Sequence, residues 1–194
     1  MSATPPEPST PARQVPPKSI LRLAGRAIGD FDMIREGDRV LVGVSGGKDS
    51  LSLLHLLLHL ATYAPVRFEV GALTVDPQAE GFDPGPLVPY MAALGVPYVL
   101  ESQDILEQAR QHLRHPSFCS FCARMKRGVM YRVAREQGYN VLALGQHLDD
   151  LAESFLMSAF HEGRLQTMKA HYVIDAGDLR LIRPLVYVRE RQLR

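Results

Sequence analysis

A pair of glycines between an apolar strand and a leucine-rich helix constrains the fold of this chain more than any other feature. Residues 39–44 read Arg-Val-Leu-Val-Gly-Val, a run typical of a strand buried on both faces of a sheet. A helix is predicted from residue 49 to residue 63, so the chain must turn sharply between them. Adjacent glycines allow this turn and let the backbone approach an anion closely. The free N–H groups at the helix start would bind that anion, which predicts a phosphate-binding loop of Ser45, Gly46, Gly47, Lys48, Asp49 and Ser50.

This loop differs from two common phosphate-binding motifs. A Walker A loop needs a glycine where Val42 stands and a serine or threonine where Asp49 stands. The chain also lacks the G-x-G-x-x-G pattern of dinucleotide-binding folds. Asp49 would repel a phosphate unless a cation lay between them, so we expect bound Mg²⁺. A glycine turn capped by serine or aspartate, with no ligand, is the structural alternative.

Predicted strands and helices alternate along the rest of the chain. We predict an α/β fold with an open, mostly parallel, doubly wound sheet of about five strands. The predicted strands are residues 39–44, 68–75, 97–100, 141–144 and 179–182, and the predicted helices are 19–33, 49–63, 85–94, 122–137 and 149–160. Ligands of such sheets bind at the carboxyl ends of the strands, where Asp76 and the segment 145–150 join the phosphate loop.

The composition fits one globular domain with a tail. Residues 1–17 contain six prolines, and we expect them to form a disordered tail before a domain of residues 18–194. No run of 18 apolar residues and no signal-peptide pattern is present, so we expect a cytoplasmic protein that does not interact with membranes. Seven lysines and arginines lie between residues 110 and 135, with no acidic residue among them. Such a segment binds phosphate or nucleic acid, or is simply a solvated helix face.

Cys119 and Cys122 are the two cysteines of the chain, and both lie close to the predicted start of a helix. This position lowers the pKa of a thiol and favours the thiolate that binds metal or sulfur. Lys126 follows Cys122 by four residues and therefore shares its helix face. His112 and His115 would complete a zinc site, whereas an iron–sulfur cluster would need a third ligand from elsewhere. Two buried small side chains are the structural alternative.

The segment Gly-Gln-His-Leu-Asp-Asp at residues 145–150 begins another helix. Asp149 and Asp150 stabilise a helix start because they oppose its dipole, and capping is their simplest role. The functional interpretation places a carboxylate near Mg²⁺ and the reacting oxygen. Gly145 and His147 are then candidate ATP-binding residues, together with Asp76 and the phosphate loop.

Val-Ser-Gly-Gly-Lys-Asp-Ser after an apolar strand resembles the PP-loop signature of the N-type ATP pyrophosphatases. These enzymes cleave ATP between the α and β phosphates, release pyrophosphate and pass AMP to a substrate. Together with the Cys-x-x-Cys helix, the 145–150 segment and Arg183-Pro184-Leu185, residues 19–191 resemble the TtcA family of tRNA 2-thiocytidine synthesis proteins.

This resemblance implies an ATP-dependent tRNA sulfurtransferase that uses a [4Fe-4S] cluster. Cys119 and Cys122 would ligate the cluster, and ATP would activate the C2 oxygen of cytidine 32 in the anticodon loop, which sulfur then replaces. A lysine matching Lys126 and an aspartate matching Asp150 are functional in related thiolases, so these two and Asp49 are the candidate catalytic residues. Asp49 and Asp150 are also the candidate Mg²⁺ ligands. A sulfur donor system and a homodimer are further family-level expectations.

Two departures from the family pattern shape the alternatives. Gln146 stands where the family has the first histidine of Gly-His-His. The family also continues beyond Arg-Pro-Leu to a second Cys-x-x-Cys segment that supplies the third cluster ligand, so we expect the domain of residues 18–194 to be C-terminally truncated. The alternatives are another PP-loop adenylating enzyme with zinc or no metal, such as a lysidine synthase, or an inactive nucleotide-binding or RNA-binding module.

Overall fold

A computed structural model describes residues 13–104 and the backbone of residues 118–193, with side chains from Cys122 onward. The helices are α1 (Lys18–Asp30), α2 (Lys48–Tyr63), α3 (Leu87–Leu94), α4 (Phe118–Glu136) and α5 (Leu148–Met157). The strands are β1 (Asp38–Gly43), β2 (Phe68–Asp76), β3 (Tyr98–Ser102), β4 (Val141–Ala143), β5 (His171–Val173) and β6 (Arg180–Ile182). A π-helical segment (Ser158–Glu162) follows α5, and a 3₁₀ turn (Glu190–Gln192) lies near the C-terminus.

The described strands form one six-stranded sheet in the order β3-β2-β1-β4-β6-β5. All neighbouring strands are parallel except β5, which is antiparallel to β6. The mostly parallel α/β fold predicted from the sequence is therefore confirmed. The sheet has six strands rather than about five, because the predicted set omitted β5. This edge strand has three half-buried or exposed residues, too few to show a strand pattern.

Both faces of the sheet are covered, which explains the continuous apolar runs of its strands. Val40 and Val42 of β1 pack in the core formed with α1, α2 and α3. Leu41, between them, points to the opposite face and packs in a second core that includes Val129 and Val133 of α4. Because alternate side chains of β1 pack into the two cores on opposite faces of the sheet, the strand is buried at the centre of the sheet.

Three helix boundaries differ from the sequence-based prediction by three or more residues, and the others agree within two residues. Helix α1 ends at Asp30 instead of residue 33, since Asp32 has a φ of 47°, a left-handed conformation that a helix cannot continue through. Helix α4 begins at Phe118 and not at Cys122, so both cysteines lie within the helix. Helix α5 ends at Met157, where the hydrogen bonding changes to the π-helical pattern.

The predicted disordered tail of residues 1–17 is described only from residue 13 onward. Residues 1–12 lie outside the described part of the chain, and the domain boundary at residue 18 stays a prediction. Pro16 is buried, and the Gln14 backbone N–H donates to Nδ1 of His55 in α2 at 3.2 Å. The chain therefore contacts the domain before α1 begins. In the described ranges, no helix combines the length and the apolar character needed to cross a membrane.

Candidate functional site

The polar loops of the chain meet where the strand order reverses. From β1 the chain proceeds through β2 to β3 on one side, whereas β4 pairs with the other side of β1. The loops that leave the carboxyl ends of β1 and β4 therefore separate at this point. In open α/β sheets such a switch point is the usual ligand-binding crevice. The tertiary structure thus joins the two loops that the sequence marked as polar.

The phosphate loop is held in shape by its two serines. The Ser50 hydroxyl donates to the Gly47 carbonyl at 2.9 Å, and the Ser45 backbone N–H donates to the Ser50 oxygen at 3.1 Å. Gly46 has a φ of 82°, which permits the turn at no steric cost. Gly47 is the N-cap of α2, so the unpaired N–H groups of the first helical turn face the loop. This geometry suits an anion at the start of α2.

Lys48 is held by two carboxylates rather than standing free. Its ammonium lies 3.0 Å from Oδ1 of Asp49 and 3.0 Å from Oε1 of Glu190 in the C-terminal 3₁₀ turn. The hydrogen bond to Asp49 and then that to Glu190 raise the pKa of the Lys48 ammonium above its ordinary value. Lys48 therefore carries its positive charge throughout the physiological range. A phosphate that binds here would compete with these carboxylates for the same cation.

His147 is the N-cap of α5 and is only 5% exposed. Its backbone N–H donates to Oδ2 of Asp150 at 2.8 Å, and the Asp150 backbone N–H donates to Nδ1 of the imidazole at 3.3 Å. Because Nδ1 accepts, the neutral ring carries its proton on Nε2, which lies 4.0 Å from Oδ2 of Asp49. His147 is thus a capping residue whose outer nitrogen is directed to the phosphate-loop aspartate.

Asp149 connects the start of α5 to the C-terminal segment. Its Oδ2 accepts the Glu190 backbone N–H at 2.7 Å, and its Oδ1 lies 3.4 Å from Nη1 of Arg189. The Glu190 N–H, more than any other group, holds the pKa of the Asp149 carboxyl below its ordinary value. Asp149 therefore holds the C-terminal 3₁₀ turn against the start of α5. Its hydrogen bond with the Glu190 N–H places the Glu190 carboxylate beside Lys48.

A cavity of about 310 Å³, here called the small cavity, opens at the switch point. Six of the predicted site residues line it: Ser45, Asp49, Ser50, Lys126, Gly145 and Asp150. Helix α4 thus brings Lys126 to the same cavity as the phosphate loop. Gln146, from the polar segment 145–150 that the sequence indicated, also lines it. Further lining residues that the sequence did not indicate as site residues are Gly43, Val44, Val75, Phe82, Met130 and Leu144.

Other predicted ATP-binding residues do not line the small cavity. Gly46, Gly47, Lys48, Asp76 and His147 contribute no lining atoms. Asp76 accepts the Gln78 backbone N–H at 2.8 Å and the Ser102 hydroxyl at 3.3 Å, so its carboxylate shapes the turn after β2. Its position at the end of β2 agrees with the prediction, but its contacts are those of a turn residue.

A more open cavity of about 910 Å³, here called the large groove, adjoins the small cavity. Gln146 and Asp150 line both. Arg127 lies on one wall, and His161 and Glu162 of the π-helical segment lie on another. Such insertions into helices are frequent at functional sites. The sequence did not indicate this groove, because its walls come from distant segments.

The basic segment of α4 divides into two parts. Arg132 pairs with Glu101 and Glu136, and Arg135 lies 2.6 Å from Asp178, so these charges are neutralised within the domain. In the described part of the chain, no acidic side chain pairs with Lys126 or Arg127. Among the described residues, the positive charge of α4 that has no paired acid therefore lies at Lys126, which lines the small cavity, and at Arg127, which lines the large groove.

The cysteine pair lies on the N-terminal side of Lys126 in α4, Cys122 about one helical turn before it and Cys119 about two. The backbone of α4 places Cys119 and Cys122 three residues apart on one face of the helix. Cys122 is half-buried against the apolar core beside α4, and the Cys119 side chain lies outside the described residues. The zinc alternative involves His112 and His115, which also lie outside them. Two thiols are soft ligands that suit part of the ligand set of an iron–sulfur cluster.

Asp49 and Asp150 supply hard oxygen ligands to one cavity, as Mg²⁺ requires. Within residues 13–104 and 122–193, however, no group of three or more His, Cys, Asp or Glu side chains is arranged to hold a metal ion. A Mg²⁺ ion held by two carboxylates would therefore take its remaining ligands from water or from a bound nucleotide. The Mg²⁺ site stays a prediction.

The fold and the loop define a class of nucleotide-binding α/β domain. A family model described as the PP-loop domain matches residues 21–194, so the chain belongs to the PP-loop family. Within it, a tRNA-cytidine(32) 2-sulfurtransferase of Geobacter sulfurreducens is 45% identical over 177 residues, covering 91% of this chain and 69% of the relative. The relative of the same name from Polaromonas naphthalenivorans is 43% identical, covering 91% and 56%. The chain belongs to the tRNA-cytidine(32) 2-sulfurtransferase family, the TtcA family of the sequence analysis.

Solved structures agree with this placement. The U34-tRNA thiolase NcsA from Methanococcus maripaludis, solved with its [4Fe-4S] cluster, superposes with a TM-score of 0.72 at 26% identity, covering 91% of this chain and 60% of that one. The NH₃-dependent NAD synthetase of Campylobacter jejuni superposes with a TM-score of 0.56 at 17% identity and shares the fold. The chain spans 52% to 69% of the length of the curated relatives it matches.

Gly145 keeps the two site loops in contact, and its replacement is expected to weaken ATP binding. A Cβ atom at this position would lie 3.2 Å from the carbonyl carbon and oxygen of Asp49 and 3.2 Å from Cα of Ser50, all backbone atoms. Gly145→Val should therefore displace the phosphate loop at a cost of about 1–3 kcal/mol and weaken ATP binding about 10-fold. Isothermal titration calorimetry measures this, with Gly25→Ala as control, because nothing lies within 4 Å of a Cβ at Gly25. Unchanged affinity in Gly145→Val would mean that ATP does not contact this loop.

Proposed function

We propose that this chain is the PP-loop catalytic domain of an ATP-dependent tRNA sulfurtransferase, which adenylates cytidine 32 of the anticodon loop and replaces its C2 oxygen with sulfur. The observation that carries the proposal is the small cavity itself. It brings Lys126 of the Cys-x-x-Cys helix to Asp49 of the phosphate loop and to Asp150 of α5. A nucleotide-binding site and a thiol-bearing helix thus share one cavity, as thiolation requires.

In the adenylation step the phosphate loop would bind the pyrophosphate portion of ATP. The N–H groups at the start of α2 and the Ser45 hydroxyl provide donors, Lys48 provides charge, and the Ser50 hydroxyl, which donates to the Gly47 carbonyl, holds the loop in shape. Asp49 and Asp150 would hold Mg²⁺, which when bound neutralises phosphate oxygens. The cytidine C2 oxygen attacks the α-phosphorus, the bond from that phosphorus to the bridging oxygen breaks, and pyrophosphate leaves. Lys126 lies where its ammonium can stabilise the negative charge that develops.

In the second step sulfur displaces the activated oxygen. Sulfide-level sulfur, as hydrosulfide, forms the new bond to C2, the C2–oxygen bond breaks as AMP leaves with that oxygen, and the S–H proton is released, so the product is C2=S with no change of oxidation state. Cys119 and Cys122 would hold the [4Fe-4S] cluster, which when bound supplies the site from which sulfur is delivered. The lysine on the same helix keeps positive charge near the departing phosphate. Along α4 the two thiols come first, and Lys126 follows Cys122 by about one turn and Cys119 by about two, so the cluster ligands and the cationic side chain lie on one helix.

The RNA would approach along the large groove. Its volume of about 910 Å³ lies within the range of ligand pockets, and it is continuous with the small cavity through Gln146 and Asp150. Arg127 on the groove wall and Lys126 in the small cavity carry positive charge that phosphates of the RNA backbone would meet, while Asp150, Glu153 and Glu162 supply negative charge to the same groove. Because tRNA is the substrate, we place the enzyme in the cytoplasm.

The proposal is tested by incubating the purified native gene product, with any bound metal retained, with tRNA, ATP, Mg²⁺ and sulfide under anaerobic conditions. We expect 2-thiocytidine in the digested tRNA by mass spectrometry, and pyrophosphate release that depends on the RNA. The matched control replaces ATP with an analogue that has a methylene between the α and β phosphates, and it should give neither product. ATP binding without pyrophosphate release would favour an inactive nucleotide-binding module. Pyrophosphate release without thiolated cytidine would favour a different adenylating enzyme.

A further inference from the structure

Gln146 stands at the junction of the two cavities. It is one of the two residues that line both the small cavity and the large groove, and the other is the acidic Asp150. A base that enters from the groove and presents an oxygen to the phosphate site must pass beside this amide. Gln146 lies in the short loop between β4, which ends at Ala143, and α5, which begins at Leu148. At this position the amide could form a hydrogen bond with the edge of a base.

The orientation of the Gln146 amide is fixed by Arg183. Nε of Arg183 donates to Oε1 of Gln146 at 2.9 Å. A guanidinium has donors only, so it is the amide oxygen that must face Arg183. Arg183 itself is 3% exposed, donates to the Lys169 carbonyl and lies over the Tyr172 ring at 5.9 Å. The guanidinium is therefore held in place, and it holds the amide in turn.

The other end of the amide is left as a hydrogen-bond donor. In the described part of the chain, no acceptor is bonded to Nε2 of Gln146, and Asp150 is engaged with the His147 backbone N–H. A donor that has no acceptor among the described residues and lies at a cavity junction suits a substrate with an acceptor at that point. The group that complements the Nε2 donor is a hydrogen-bond acceptor on the edge of a base.

We propose that Gln146 is a specificity-determining residue that selects cytidine over uridine, with Nε2 donating to ring nitrogen N3 of the base and Arg183 as its positioning residue. This inference rests on the proposed function. N3 of cytosine has a lone pair and accepts, whereas N3 of uracil carries a hydrogen and would oppose the amide donor. The C2 oxygen is the group that attacks the α-phosphorus, so the amide leaves its lone pairs available by bonding to the neighbouring nitrogen.

The test is Gln146→Glu, which exchanges the donor for an acceptor. The carboxylate would pair with Arg183 and present its second oxygen to the base, where it accepts from N3–H of uridine but repels N3 of cytidine. We expect the ratio of kcat/KM for tRNA with cytidine 32 to that for tRNA with uridine 32 to fall about 10- to 100-fold. RNA-dependent pyrophosphate release measures both substrates. Gln146→His is the matched control, because a ring N–H can still donate and should largely preserve the preference.

The results for the unsubstituted chain and for Gln146→Glu distinguish a failure of this inference from a failure of the proposed function. An unchanged ratio in Gln146→Glu, with normal 2-thiocytidine formation by the unsubstituted chain, overturns the inference and leaves the function standing. Absence of 2-thiocytidine with the unsubstituted chain overturns the function and the inference together. If Gln146→Glu is poorly folded by circular dichroism, Gln146→Leu removes the donor without adding charge. Its ratio must also fall, and a ratio equal to that of the unsubstituted chain overturns the inference.

Discussion

Replacing Asp49 with asparagine should lower pyrophosphate release from ATP by about 100-fold or more while the domain stays folded. Asp49 lines the small cavity, contacts the Lys48 ammonium and lies 4.0 Å from Nε2 of His147. Its carboxylate would hold the cation that lets phosphates approach an acidic loop, and an asparagine amide is a weaker ligand with no charge. Asparagine has nearly the same shape, so packing at the start of α2 is preserved. Pyrophosphate release at saturating ATP and varied Mg²⁺ measures the effect.

The matched control is Asp175→Asn, which makes the same chemical change at an exposed position in the turn between β5 and β6. It should retain full turnover and the same melting temperature. If Asp49→Asn also retains full turnover, Asp49 has no part in the mechanism. If its turnover is restored by high Mg²⁺, the cation-binding role is supported directly, because mass action compensates for a weaker site.

Replacing Cys122 with serine should abolish sulfur incorporation into tRNA, by about 100-fold or more, and leave RNA-dependent pyrophosphate release largely intact. A serine oxygen is too hard a ligand to replace a thiolate on iron. Cys122 does not line the small cavity, so the ATP-binding residues are not disturbed. Iron content and visible absorption of anaerobically purified protein, together with the yield of 2-thiocytidine, measure the effect. The bound iron should fall in parallel with thiolation.

The companion variant Cys119→Ser should behave in the same way, because the two thiols lie on one helix face. Arg132→Gln, which changes α4 at a residue paired with Glu101 and Glu136, controls for general damage to the helix. Zinc instead of iron in the unsubstituted protein would contradict the cluster assignment and favour an adenylating enzyme with a structural metal. Loss of pyrophosphate release in Cys122→Ser would contradict the separation of the two steps.

The parts of the site that the sequence predicted well are local in the chain. The phosphate loop is one such part, because the glycine pair, the apolar run before it and the helix after it lie within 25 residues, 39–63. The capping role of Asp150 is another, since carboxylates at helix starts are favourable in any fold. The N-cap role of His147, by contrast, could not be predicted from the local sequence. His147 is the N-cap of α5 in this structure, but histidine is not a preferred N-cap residue, so its contact with the Asp150 N–H was not predictable.

Long-range contacts account for what the sequence could not show. Arg183 is 37 residues from Gln146, and their contact fixes the direction of one amide. Glu190 meets Lys48 only because Asp149 binds the Glu190 backbone N–H and holds the C-terminal turn at the start of α5. Arg132 and Arg135 looked like part of a continuous basic face, yet both are neutralised by acids from other segments. None of these pairings leaves a periodic pattern in the sequence.

By itself the sequence determined the fold class, the glycine turn between β1 and α2 and a helix that carries Cys122 and Lys126, because apolar periodicity and glycine turns are local properties. Only the tertiary structure decided which residues meet. It brought Lys126, Asp49 and Asp150 to one cavity. It showed that the Asp76 carboxylate accepts hydrogen bonds within the turn after β2. It also placed Gln146 between two cavities, with its amide oriented by a hydrogen bond from Arg183. The physical reason is that strand order sets which loops become neighbours, and strand order depends on how both faces of the sheet are buried.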